Sequence, residues 1–242
     1  MPLPKISTPL YELQLPSNGK KIKYRPFLVR EEKVLILALE GGDNKSITNA
    51  VKKILKDCIS TRGVKIEELP TFDIEYLFLN IRGKSVGEAL DLIVTCPDDN
   101  ETTVPVKVYI DEVEVLQDED HTTDINLDGN LTLRMKYPSL EEFIENNFEF
   151  GEKNDSSIIE KSFDVIASCI DMVFDKEDSW AAADCTHKEL VEWLDTLNSS
   201  QFKEVEKFFE TMPKLTHTFK VTNPNTKVES EVTLEGLSSF FD

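Results

Sequence analysis

The six residues Val94-Thr95-Cys96-Pro97-Asp98-Asp99 return in outline at Val221-Thr222-Asn223-Pro224-Asn225-Thr226. Both copies read Val-Thr-x-Pro followed by two residues of turn-forming type. Proline presets φ, and Asp or Asn bonds to its own backbone, so each copy predicts a reversal of the chain. An apolar strand precedes each reversal and an alternating one follows it. After the first, Val104, Val106, Val108 and Ile110 alternate with Pro105, Lys107 and Tyr109, the period of a half-buried strand. The second reversal lies inside a hairpin predicted from Leu215 to Leu234. A fold with this echo is expected to place the two turns side by side and so close one domain from both halves of the chain. Val94, Val104, Val106, Val221, Val228 and Val232 would supply the packing, at roughly 1.5–3 kcal/mol for each side chain fully buried.

The rest of the chain alternates between helical and extended periods, so the expected class is α+β: helical blocks combined with β-hairpins. Residues 1–28 read as an N-terminal arm and hairpin, with Pro2, Pro4 and Pro9 disfavouring helix and Pro16-Ser17-Asn18-Gly19 as the turn. Residues 29–88 form a first helical block. There Val29–Glu40 stops at Gly41-Gly42, and Asn44 can cap a helix carrying Ile47, Val51, Ile54, Leu55 and Cys58 on one face. Thr71 can cap Phe72–Leu79, a segment apolar nearly all round and expected to be the central buried helix. Residues 89–137 are the β region with the first turn. Residues 138–212 read as a second helical block, started by possible capping boxes at Ser139/Glu142, Ser157/Glu160 and Thr186/Glu189. Residues 213–242 hold the second hairpin and an aromatic tail, Phe240-Phe241. The five segments are expected to form one compact unit.

Composition narrows function mainly by exclusion. Among 242 residues, 46 acidic and 27 basic side chains leave a net charge of −19, which argues against nucleic acid and against anionic membrane surfaces. The N-terminus lacks the pattern of a signal peptide, and no apolar run is long enough to span a membrane. Cys58, Cys96, Cys169 and Cys185 are dispersed, which predicts free thiols in a reducing cytosol. No nucleophile motif is present, and His121, His187 and His217 are scattered, each with a structural role expected. Gly41-Gly42-Asp43-Asn44-Lys45-Ser46 lacks the frame of a phosphate-binding loop. The carboxylate groups at 98–101 and 118–120 lack calcium-loop spacing, and read as solvated turns. A hydrolase with an unrecognised carboxylate pair is a distant alternative. No cofactor is predicted.

Each Val-Thr-x-Pro turn also has the outline of a zinc-ribbon knuckle, C-P-x-C, in which two cysteines on a tight turn give half of a tetrahedral site. The four ligand positions here hold Cys96, Asp99, Asn223 and Thr226. One thiolate, one carboxylate and two weak neutral groups form a poor zinc site, so metal-free knuckles are expected.

Leu3-Pro4-Lys5-Ile6, Thr8-Pro9-Leu10-Tyr11-Glu12-Leu13, Leu15–Lys20 and Tyr24–Val29 are distinctive, as are Leu69–Arg82, Phe208–Leu215, Leu234–Leu237 and Phe240-Phe241. Together they resemble the baseplate hub subunit family of T-even-type contractile-tailed bacteriophages, over most of the chain except roughly 112–130 and 150–185. Relatives of that family often carry C-P-x-C at both turns; this chain departs at three of the four positions. The resemblance implies a non-enzymatic structural subunit of the virion tail baseplate, assembled in the host bacterial cytoplasm and bound to other baseplate or tail proteins. An assembly chaperone that matures the hub and then leaves is the alternative. As partner-binding residues, the arm (Pro2, Pro4, Pro9) and the aromatic tail (Phe240, Phe241) are the candidates, because mobile segments order on neighbours and aromatic anchors dominate interfaces.

Overall fold

Leu13, Leu15, Ile22 and Tyr24 all point to one side of the first hairpin, β1 (Tyr11–Gln14) and β2 (Lys21–Tyr24), as period-two spacing requires. Gly19 takes a φ of 67° in its turn. The computed structural model describes residues 7–41, 44–140 and 155–240. Helices α1 (Val29–Gly41), α2 (Asn44–Cys58) and α3 (Thr71–Val86) follow. In α2, the predicted face of Ile47, Val51, Ile54, Leu55 and Cys58 is fully buried. In α3, Phe72, Ile74, Leu77, Phe78, Leu79 and Ile81 are all buried, so it is the central helix that its all-round apolar pattern predicts. Its cap differs from expectation: Pro70 occupies that position without a side-chain bond, and Thr71 opens the first turn. The first-turn carboxylate of Asp73 instead accepts the backbone N–H of Ser17 at 3.0 Å and its hydroxyl at 2.5 Å, which pins the β1–β2 turn to the helix.

Strands β3 (Ala89–Thr95) and β4 (Thr103–Tyr109) form the second hairpin. Strands β10 (Lys214–Thr222) and β11 (Glu229–Glu235) form the third, with β5 (Glu114–Leu116) added along β10. A short 3-10 turn, Leu237–Phe240, then packs against α3 and β11. The contacts gather into two units where the sequence reading expects one: the described residues up to Leu116 and from Lys214 on, and those from Gln117 to Pro213. The second unit is an insertion in the chain of the first. The chain departs after β5 and re-enters at the start of β10, and these two strands are paired, Leu116 opposite Lys214.

The second unit holds a four-stranded antiparallel sheet, β6 (Asp124–Asn126), β7 (Thr132–Met135), β8 (Ile170–Phe174) and β9 (Ser179–Ala181). Its described helices are α4 (Asp155–Ser168), α5 (His187–Leu194) and α6 (Ser199–Thr211). So the region read as purely helical, 138–212, contributes two strands. Ile170–Phe174 is too short to show its period in sequence, and it becomes a strand by pairing with β7, Val173 opposite Leu133. Thr186 and Glu189 make the predicted capping box, and Asn198 with Gln201 makes a second one at α6. Ser157 lies inside α4 instead of before it, and Glu142 falls outside the described residues. Leu194, Val205 and Phe208 close the core from α5 and α6. Helices and small antiparallel sheets together make the fold α+β.

Near the start of α1, Glu31 is only 3% exposed. Burial pushes its carboxyl up, but bonds from Arg25 (2.8 Å), Arg30 (2.6 Å) and the Leu28 N–H (2.8 Å) outweigh that and hold it down at about 2. A depressed carboxyl stabilises the fold above its unfolded pKa, near 4.5, and loses that contribution as pH falls towards 2. Glu31→Gln should therefore cost about 3 kcal/mol at neutral pH. The gap from wild type should close between pH 4.5 and 2, as read by urea unfolding across pH.

Candidate functional site

The two Val-Thr-x-Pro turns meet within the first unit, and their side chains interlock. Each turn is built alike. The Asn100 N–H donates to the Cys96 carbonyl and the Lys227 N–H to that of Asn223, both at 3.0 Å. Asn100 and Lys227 are the described non-glycine residues with positive φ, 54° and 65°. The Asp99 carboxylate accepts the N–H groups of Glu101 and Thr102 at 3.0 Å and the Thr102 hydroxyl at 2.6 Å, which fastens the first turn. The Asn223 amide oxygen fastens the second by accepting from Asn225 (2.8 Å) and Thr226 (3.3 Å).

Across the joint, the amide nitrogen of Asn223 donates to both oxygens of Asp98 (3.0 and 3.1 Å) and to Asp99 Oδ2 (2.8 Å). The Thr226 hydroxyl donates to Asp98, and Asn225 Nδ2 to the Thr102 hydroxyl at 3.0 Å. Asn223 is fully buried, so these bonds replace the water its amide gives up. They also set the local charge. Bonds from Thr226 and then Asn223 hold the Asp98 carboxyl below its usual range, and those from Thr102 hold Asp99 lower still. Burial, with both carboxylates nearby, pushes the Cys96 thiol up. Of the valines expected beneath the turns, Val94 and Val221 are buried, Val104, Val106 and Val232 are half-buried, and Val228 is exposed.

Three of the four candidate ligand positions, Asp99, Asn223 and Thr226, thus lie in one hydrogen-bonded network, with Cys96 buried in the same turn. The donor set does not fit zinc: the amide and hydroxyl are neutral, and the carboxylates are already engaged. No group of three metal-ligating side chains occurs among the described residues. Nor does the joint suit acid–base work at neutral pH, because its carboxyls are held below their usual range and its thiol is pushed above its own. What it does is fasten two hairpins. Asp98, Thr102 and Asn225 were not singled out as site residues by sequence. The only trace of their role is an Asx or Thr within each Pro-containing turn.

The histidines have structural partners. His121 Nδ1 lies 3.0 Å from the Thr211 hydroxyl and its Nε2 3.0 Å from that of Tyr137, with the ring packed on Tyr137 and Phe208. His187 pairs with Asp164, and His217 Nδ1 bonds the Glu112 carbonyl. Pro9 is exposed, whereas Pro2, Pro4 and Phe241 lie outside the described residues. Phe240 is 1% exposed, a core side chain packed within its own chain, which corrects its expected role as an exposed anchor. The described cysteines are free: Cys58, Cys96 and Cys169 buried, Cys185 exposed. No described helix is long and apolar enough to cross a membrane.

A family model described as the T4 bacteriophage base plate protein matches residues 8–242. The chain belongs to that family. This base plate protein matches no curated protein and no solved structure in the comparisons made.

Asn223→Ala should leave Asp98 and Asp99 without their shared donor and destabilise the base plate protein by about 1–3 kcal/mol, measured by urea unfolding. For the metal, the expected outcome is that elemental analysis finds no stoichiometric zinc and that a chelator leaves Tm unchanged.

Proposed function

We propose that the chain is a non-enzymatic structural subunit of the phage baseplate hub, retained in the virion and working through contacts with other baseplate or tail proteins. The observation that carries this reading is the family match along nearly the whole chain. The chemistry of the paired turns supports it, since their titratable groups are committed to holding the fold. An acidic coat of net charge −19 favours basic or neutral protein partners over nucleic acid.

Within this reading the segment of residues 1–9 docks along a neighbour. Pro9 is exposed and Leu10 is 61% exposed where the chain enters β1. Removing residues 1–9 should leave Tm nearly unchanged and weaken incorporation into baseplates. The check is mass spectrometry of purified particles from phage carrying the full-length or the shortened chain. Full-length protein required for assembly yet absent from particles would make it an assembly factor instead. Normal incorporation of the shortened chain would remove the docking role of the arm.

A further inference from the structure

Along α1 the side chains of Val29, Lys33, Ile36, Leu37 and Glu40 all face solvent. Their spacing of four, three, one and three residues places them in one stripe. The other side of the helix carries buried Glu31 and half-buried Val34, Leu35 and Ala38, and α1 packs on α2. Val29 is 80%, Ile36 50% and Leu37 56% exposed. A single exposed aliphatic side chain is ordinary, but three on one stripe of one helix form a surface. Lys33 and Glu40, which flank the central pair, make no ion pair among the described residues.

The stripe has a symmetry that says what covers it. Lys33 stands three residues before Ile36, and Glu40 three residues after Leu37. Turned end for end about its centre, the stripe sets Ile36 against Leu37 and Lys33 against Glu40, with Val29 lying beyond these matched four. We propose that α1 is a two-fold contact between two copies of this chain. The helices run antiparallel, Ile36 meets Leu37 at the centre, and Lys33 of each copy pairs with Glu40 of the other. A parallel pairing would set lysine on lysine and glutamate on glutamate, so the charges choose the direction. The segment from Val29 to Glu40 is about 17 Å long. A contact confined to one helix face of that length buries less than the roughly 1,600 Å² typical of stable complexes, so a weak, concentration-dependent dimer is expected. The inference does not depend on the place of the protein in the hub.

Sedimentation equilibrium of the full chain tests it, in about 0.15 M salt, where charges more than roughly 8 Å apart are screened. The expected result is a monomer–dimer equilibrium. Lys33→Glu alone and Glu40→Lys alone should each weaken it about tenfold or more, because each turns two opposite-charge contacts into like-charge ones. The double variant Lys33→Glu/Glu40→Lys should restore it, and Leu37→Asp should abolish it. All these positions are exposed, so the variants should keep the wild-type Tm, which shows that lost association is not lost folding. A wild-type chain that stays monomeric, single reversals without effect, or a double reversal that fails to restore the dimer would each overturn the proposal.

Discussion

The first unit is held shut by one buried amide. Asn223 has two N–H donors and no access to water, and the acceptors that satisfy them are carboxylates 124 and 125 residues earlier. A buried amide without partners costs about 1–3 kcal/mol, so the β10–β11 hairpin is stable in its place only where the β3–β4 hairpin presents Asp98 and Asp99 to it. The bonds are charge-assisted and directional, which sets register as well as adhesion. Thr226 and Asn225 extend the same contact, and Asp99 reaches back to brace its own turn.

Beneath that joint, α3 gives the first unit its common anchor. Ser17 binds Asp73 at one end of the helix, and near the other end Gly83 admits Ile110, whose Cδ1 lies 2.5 Å from where a Cβ would stand. The turn that carries Phe240 lies against α3 as well. A helix touched on all sides needs an all-round apolar sequence, and that is what residues 72–81 provide. Polar residues appear on it where a neighbouring segment is fastened, as at Asp73. Phe240 thus belongs to the core and is not available as a contact surface.

For a base plate protein the consequence is a division of labour among charged groups. Those in the joint and at Glu31 are consumed by internal bonds and have carboxyl pKa values displaced far from neutrality. Lys33 and Glu40 on α1 make no ion pair among the described residues and lie on the surface beside exposed aliphatic side chains.

Local periodicity and turn chemistry determined much of this in the sequence alone. The three hairpins, the buried face of α2, the all-round burial of α3 and the capping box at Thr186 are each written in a few neighbouring residues. The echo of Val-Thr-x-Pro also determined that the two turns belong together, since similar turns on similar strands can share one packing solution. What only the tertiary structure decided involves partners far apart in the chain. The strand at Ile170–Phe174 exists because β7 lies beside it, and Phe240 turns inward because α3 offers an apolar surface. The division into two units follows from which strands pair. In the joint, Asp98 looked like a solvated turn residue until Asn223 arrived from the other end of the chain. A side chain's local sequence carries its propensity, but its hydrogen-bond partner is supplied by whichever segment folding brings within about 3 Å, the donor–acceptor distance of a hydrogen bond.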